Sequence, residues 1–250
     1  MVLKRHKEIS KRGNTTANTT MRVLRLTLKY AAATRMIDSV PTSVLNEARL
    51  WHKNKRKKRI IPSNKLRSWH EAVEALPNQK AKVYLLILLY IGFRSEEALT
   101  LKWSDVDWSS KTITARDTKN HTTHTLPFPP PLLPHLLELK QATGEHIWVF
   151  SGRNPIKHMS LPSKPIASVI ETSGVAFSSH DCRRTFATIA EAISLPTTMI
   201  KRLLNHNTDN DVTGGYIVTE EETLREAINN IAVYIQARVT QIDNVIKIHN

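Results

Sequence analysis

Between His180 and Tyr216 the chain reads H-D-C-R-R-T-F-A-T, then an apolar helical stretch, then L-L-N-H-N-T-D-N-D-V-T-G-G-Y. Two imidazoles, a guanidinium and a phenol are thus carried near the ends of short helices within about forty residues. Together with Arg94 and Lys119 they suit displacement at a phosphoryl centre by an enzyme nucleophile. That reaction needs a nucleophile, donors for the charge that spreads over the phosphoryl oxygens, an acid for the leaving oxygen, and in-line geometry. Tyr216 offers the nucleophile, weak at its ordinary pKa of about 10 and dependent on cationic neighbours. Arg94 and Arg183 offer planar forks for two oxygens each. Lys119 can protonate a leaving alkoxide, and His180 and His206 can donate hydrogen bonds or move protons near neutral pH. The set calls for no metal and no cofactor.

Each residue taken alone has a plainer explanation. Arg94 with Glu97 is the spacing of a surface ion pair, Lys119 beside a turn is ordinarily solvated, and His180 can simply begin its helix. His206 can be a helix-end histidine, and Tyr216 between Gly215 and Ile217 can be core. The functional reading rests on all six occurring in order on one helical body.

The elements that would position them follow from periodicity and punctuation. Ser63 or Asn64 can cap a helix running to Leu76, where Pro77 stops it. Val83–Ile91 is apolar on nearly every face, the pattern of a buried helix. Gly92-Phe93-Arg94 turns the chain, and Ser95 can cap the next helix, with Glu96 and Glu97 in its first turn. Residues 112–116 and 123–128 read as a hairpin with Lys119-Asn120 at or near its turn. Pro129–Pro131 ends the sheet. Helices then fit 132–139, 164–171, 179–193 and 197–204, with a short β-like run at 147–150. His180 and Arg183, three apart at a helix start, share a face, and that helix N-terminus itself favours an anion. Thr219-Glu220-Glu221-Glu222 reads as a capping box. Behind it Leu224, Ile228, Ile231, Ile235, Val239, Ile242 and Ile246 form a stripe that can be core or can dock on a neighbouring subunit.

Charge divides the chain. It carries 36 Lys and Arg against 22 Asp and Glu, a net charge of +14. Residues 1–70 hold 18 of the basic residues and 3 of the acidic ones, so the excess lies there, while the remainder is nearly neutral. A basic end on a neutral body points to a polyanion, nucleic acid before an acidic membrane surface. Residues 1–20 show no apolar period and are expected as a basic flexible tail, and residues 21–53 as a partial helical DNA-binding domain. One helix there follows Val23, Leu26, Tyr30, Ala33 and Ile37, and a second follows Leu45, Ala48 and Trp51. Residues 54–62 form a basic linker, and residues 63–250 the catalytic domain with a C-terminal docking helix. In and beside the linker Lys53, Lys55, Arg56, Lys57, Lys58 and Arg59 can strap phosphates and release counterions. One cysteine, Cys182, allows neither an intrachain disulfide nor a four-cysteine zinc site. No apolar run approaches the ~20 residues of a membrane span, and the basic N-terminus lacks the apolar segment of a signal peptide.

The ordered motifs resemble the catalytic domain of the tyrosine recombinase (phage integrase) family over roughly residues 63–235, in the form carried by prophages and genomic islands. I-G-F-R-S-E-E-A-L-T-L-K-W-S-D-V-D is similar to the first arginine box, which would make Arg94 a catalytic arginine and Glu97 its supporting acid. D-T-K-N-H matches the lysine loop, H-D-C-R-R-T-F-A-T the second arginine box, and L-L-N-H with D-V-T-G-G-Y-I the last histidine and the nucleophile. Asn205 stands where many members have Gly. The resemblance implies a mainly α fold with a small antiparallel β-sheet (α+β), preceded here by a short, incomplete helical DNA-binding segment. It implies a site-specific recombinase: Tyr216 forms a 3′-phosphotyrosyl bond and releases a 5′-hydroxyl, and a 5′-hydroxyl of partner DNA reverses the step. Double-stranded DNA at an attachment-site core would be the partner, with a homo-tetramer on DNA, a monomer or weak oligomer without it, and accessory DNA-bending proteins. The location implied is the cytoplasm of a bacterial host, on the nucleoid. Two other readings remain: a truncated integrase that binds DNA without recombining, and a type IB topoisomerase-like enzyme that relaxes DNA.

Overall fold

The computed structural model describes residues 1–54, 58–116, 122–206 and 221–240. The chain divides into two compact units, Met1–Lys58 and Arg59–Asn250.

The first unit is helical from its start. Helices α1 (Val2–Ser10) and α2 (Asn14–Ala33) occupy the stretch expected as a flexible tail, and a four-residue α3 (Val44–Glu47) follows. Polar sequence hid α1, because it is held by polar and ring contacts to the distant His52 and not by an apolar stripe. Ser10 Oγ donates to the His6 carbonyl and lies 2.7 Å from His52 Nε2, while the His6 and His52 rings stack at 4.8 Å. The Asn18 amide closes a two-way bond with the His52 backbone, Nδ2 donating at 2.9 Å and Oδ1 accepting at 3.2 Å. Helix α2 begins nine residues before Val23, the first residue of the expected period, and turns a different face inward. Ala17, Asn18 and Met21 are buried, whereas Val23, Leu26 and Tyr30 of the predicted stripe are exposed.

The second unit is built on α5 (Gln79–Tyr90), buried along nearly its whole length from Ala81 onward. Asn78 caps it, its Oδ1 accepting from the Ala81 N–H at 3.1 Å, which satisfies one of the donors a helix start leaves unpaired. A 3-10 turn at Ser63–Lys65 leads into α4 (Leu66–Glu74), so Ser63 and Asn64 enter the helix without capping it through a side chain. After α5 come α6 (Ser95–Leu99), then a three-stranded antiparallel sheet in sequence order: β1 (Val106–Asp107), β2 (Thr112–Ala115) and β3 (His124–Pro127). Ile113 pairs with Val106 on one side and Leu126 on the other. The expected β-like run at 147–150 forms an antiparallel bridge, Lys102 opposite Trp148, with the chain after α6: Trp103 N donates to Ile147 O at 3.0 Å and Val149 N to Leu101 O at 2.9 Å.

Helices α7 (Leu133–Thr143), α8 (Ser163–Ser173), α9 (Ser179–Ala192), α10 (Thr197–Leu203) and α11 (Glu221–Thr240) complete the unit. The apolar residues of α9, with Cys182, Phe186, Ile189 and Ala190 inward, lie against α5. In α11, Ala227, Ile228, Ile231, Ala232 and Ile235 are buried against α4, β3 and α9. The described part of the terminal stripe is therefore core of its own unit. Ile242 and Ile246 lie outside the described residues, as do Thr219 and Glu220 of the expected capping box.

Candidate active site

The first arginine is set by the end of α5. Gly92 adopts φ +77°, a left-handed conformation that favours glycine, and a Cβ there would meet Phe186 Cδ1 at 2.6 Å. This close approach of α5 to α9 lets the Gly92 carbonyl accept from Arg183 NH1 at 2.7 Å. Two residues on, Arg94 is the N-cap of α6 and its own N–H donates to Glu97 Oε2 at 2.8 Å. Ser95, expected as the cap, is the first residue of the helix, and its hydroxyl lies 2.7 Å from the Tyr84 hydroxyl. The Arg94 guanidinium returns to the same carboxylate, NH1 donating to Glu97 Oε1 at 2.6 Å. Arg183 NH1 stands 3.9 Å from Glu97 Oε2. One carboxylate, 4% exposed, thus serves both arginines.

The second arginine comes from α9, whose start is closed by Ser178 and Asp181 in a capping box. Asp181 is buried and accepts from the Ser178 N–H at 2.9 Å, Arg59 Nε at 2.7 Å and Arg184 NH1 at 2.9 Å. Burial works to raise this carboxyl, but the bonds from Ser178 and Arg59 outweigh it and hold the pKa below its ordinary value. With Ile61 N donating to Thr185 Oγ1 at 2.9 Å, these contacts fasten residues 59–61 along α9. Arg59, expected on DNA phosphates, therefore has a carboxylate partner already. Lys53 and Lys58 are exposed. Lys55, Arg56 and Lys57 lie outside the described residues.

Helix α10 delivers His206. It ends in a Schellman turn: Asn205 has φ +44°, its N–H donates to Arg202 O, and the His206 N–H donates to Lys201 O, both at 2.9 Å. Asn tolerates this left-handed position better than other residues with a Cβ, which accounts physically for its standing where Gly is common. Arg183 NH2 donates to Leu204 O, and Arg94 NH2 to Asn205 O at 3.3 Å. Asn205 Nδ2 also reaches Thr122 Oγ1 at 3.4 Å, at the base of the hairpin loop.

Arg94, Glu97, Arg183 and His206 of the expected residues are thus brought together, and His180, exposed in the first turn of α9, is coupled to Arg183 and Arg94 by charge. Lys119 and Tyr216 lie outside the described residues. The electrostatics are those of one positive cluster. Burial, then the charge of Arg94, lowers the Arg183 pKa to about 10 against the pull of Glu97. His180 is lowered by desolvation, then by Arg184 and Arg183; His206 by desolvation, then by Arg183 and Arg94. Such a cluster can take an oxyanion between two forks. Among the described residues no group of His, Cys, Asp or Glu is arranged to hold a metal, and no helix is long and apolar enough to cross a membrane. Two contributors were not foreseen. Asp181 was readable as the fourth residue of an S-x-x-D cap, whereas His124, on β3, had no local signal.

A mainly helical unit with a small antiparallel sheet and paired arginines under one carboxylate has the architecture of a tyrosine recombinase catalytic domain. Lambda integrase, solved as a dimer bound to a core site, has the same fold, with a TM-score of 0.66 at 16% identity over 86% of this chain and 62% of that one. A lambda integrase tetramer bound to a Holliday junction matches equally, with a TM-score of 0.66 at 15% identity over 88% of this chain and 66% of that one. Prophage integrase IntF of Escherichia coli is 30% identical over 151 residues, 58% of this chain and 32% of that protein. Tyrosine recombinase XerA of Pyrococcus furiosus is 26% identical over 141 residues, 54% and 49% of the two chains. The matched part is thus about a third and about half of these relatives' lengths. The family model described as the phage integrase family matches residues 60–222, and the chain belongs to that family.

Proposed function

We propose that the protein is a site-specific DNA recombinase that cuts and rejoins DNA through a 3′-phosphotyrosyl intermediate, in the integration or excision of a prophage or genomic island. The observation that carries this reading is the convergence of Arg94 and Arg183 on Glu97, with His180 and His206 electrostatically coupled to both. In this mechanism the two forks hold the non-bridging oxygens of the scissile phosphate and stabilise the charge of the pentacoordinate state. Tyr216 attacks phosphorus and gives up its proton, for which the imidazoles of His180 and His206 are the proposed acceptors. Lys119 protonates the departing 5′-oxygen. A 5′-hydroxyl from partner DNA then attacks the phosphotyrosine and restores the phenol. Atoms and charges balance without an external cofactor.

Double-stranded DNA at an attachment-site core is the proposed partner, with Lys53, Lys55, Arg56, Lys57 and Lys58 along its phosphates. Arg59 would act mainly through Asp181. Assembly as a homo-tetramer on DNA is proposed by likeness to the lambda integrase complexes, with a monomer or weak oligomer in its absence and accessory DNA-bending proteins as further partners. Such work belongs with the nucleoid in the cytoplasm of a bacterial host.

The test is incubation with a nicked suicide duplex carrying the candidate core from DNA flanking the gene, with Tyr216→Phe alongside. A denaturation-resistant protein–DNA adduct lost in the variant is expected. Sequence-selective binding with no adduct would reassign the chain to a DNA-binding protein that does not recombine. Relaxation of supercoiled DNA lacking paired sites would favour the topoisomerase-like reading.

A further inference from the structure

A helix end leaves carbonyls that must find donors, and at α10 each can be followed. Lys201 O takes the His206 N–H and Arg202 O takes the Asn205 N–H. The next three carbonyls are taken from outside the helix: Leu203 O by His124 Nε2 at 3.1 Å, Leu204 O by Arg183 NH2, and Asn205 O by Arg94 NH2. A carbonyl only accepts, so the Nε2 of His124 bears the hydrogen. Two of these three donors are the arginines proposed to grip phosphate. The third comes from the strand that follows the lysine loop, and its ring stands edge-on to Phe93, the residue before Arg94, at 6.0 Å.

We infer that His124 is a positioning residue: its Nε2–H, bonded to Leu203 O, fixes the end of α10 and so the placement of His206 and of the carbonyls that orient Arg94 and Arg183. When the arginines take up a phosphate, their hold on Leu204 and Asn205 competes with the substrate, whereas the bond from His124 does not. It joins the hairpin, the first arginine turn and the last histidine at one point. Burial lowers the pKa of His124, with Arg183 and Arg94 acting the same way and the bond to Leu203 and the charge of Glu97 opposing. The ring therefore adds no charge to an already positive cluster.

The test compares His124→Phe, His124→Gln and His124→Asn in the full chain. Phe keeps the ring and loses the donor, Gln can place an N–H near the former Nε2, and Asn cannot reach it. In DNA-free protein, amide hydrogen exchange at Asn205 and His206 is expected to quicken about tenfold or more in the Phe and Asn variants. The Gln variant should stay near wild type, and α5 core amides should be unchanged in all three. The rate arm rests on the recombinase reading. Single-turnover cleavage of the suicide duplex at saturating protein should fall about ten- to a hundredfold in Phe and Asn. DNA affinity should change less than about threefold, and Gln should recover most of the rate. Unaltered exchange at Asn205 and His206 in the Phe variant overturns the inference, whatever the activity. If that variant does not fold, equal behaviour of Gln and Asn overturns it. Absence of adduct in the wild type would sink the recombinase reading alone, because the exchange arm still decides the role of His124.

Discussion

Removing the charge of Glu97 isolates what holds the two arginines together. The carboxylate accepts from the Arg94 backbone at 2.8 Å and its guanidinium at 2.6 Å, and faces Arg183 at 3.9 Å, at 4% exposure. In Glu97→Gln the amide oxygen can keep one of these bonds, but its NH2 then meets a guanidinium donor and two adjacent cations lose their counter-charge. Breaking a buried pair from one side costs about 3–5 kcal/mol. Keeping one bond restores about 1 kcal/mol, which leaves roughly 2–4 kcal/mol for Gln and the full range for Glu97→Ala. For a unit of this size each kcal/mol lowers Tm by about 2–4 °C, so Gln should cost about 4–16 °C. The exposed pair Arg67–Glu71, at 2.8 Å, provides the control: Glu71→Ala should cost under about 1 kcal/mol. Calorimetry measures all three. Sulfate should recover more Tm in the Glu97 variants than in wild type, because an anion can then neutralise both forks. A Glu97→Ala melting point no lower than that of Glu71→Ala would refute the shared-carboxylate account.

Other outcomes follow from single residues. Gly92→Ala combines a left-handed backbone cost of about 1–2 kcal/mol with overpacking of about 1–3 kcal/mol against Phe186. Gly174 has φ +67° with nothing within 4 Å, so Gly174→Ala measures the backbone part alone; equal urea midpoints for the two would disprove the α5–α9 contact. Asn205→Gly should change stability by under about 0.5 kcal/mol and Asn205→Ala should lose about 1 kcal/mol or more, read by urea unfolding. The pKa values of His70, His124, His180 and His206 are all lowered from 6.5, first by desolvation, with neighbouring arginines adding to it at the last three, so just below that value the unfolded chain binds more protons. Their contribution is full above about pH 6.5 and is lost as the pH falls below it. The lowered Asp181 carboxyl loses its contribution only near and below its ordinary value of 3.8. The urea midpoint should therefore fall from pH 7.5 to 5.5, and a flat or rising profile would contradict these shifts.

What the sequence revealed depended on whether the determining contact was local. Helices α6, α9 and α10 were legible because their apolar period and end residues lie within one segment, and Arg183 followed from α9. Helix α2 was legible as a helix but not in orientation, since a 3.6-residue period names a face without naming what covers it. Val23, Leu26 and Tyr30 satisfy the period and face solvent, while Ala17, Asn18 and Met21 are buried. The loose tail expected at residues 1–20 failed for a related reason: the Ser10–His52 and Asn18–His52 contacts span 42 and 34 residues. His124 was invisible on the same ground, bonded to a carbonyl 79 residues away. Arg59 looks in the sequence like one more charge of a basic run, because its partner Asp181 lies 122 residues further on.

The electrostatic state of the cluster favours an anion. Two guanidiniums share one carboxylate, and the carbonyls of Leu204 and Asn205 supply only the fractional negative charge of a helix end. The surplus is visible in its effects: Arg183, His180 and His206 are each pushed toward losing a proton, and in each a neighbouring arginine contributes. An oxyanion seated between the forks would act on all three in the opposite sense. Binding should then draw protons onto His180 and His206 near and below pH 6.5 and should weaken as the pH rises through that region. Titrating sulfate, or duplex DNA, in two buffers of different ionisation enthalpy at pH 6 would show the uptake as a difference in apparent heat. The same difference should shrink at pH 8, where both imidazoles stay neutral, and should fall further when His180 or His206 is replaced by Asn. Identical heats in both buffers at pH 6 would mean that the anion binds away from these imidazoles, and the electrostatic reading of the site would fail.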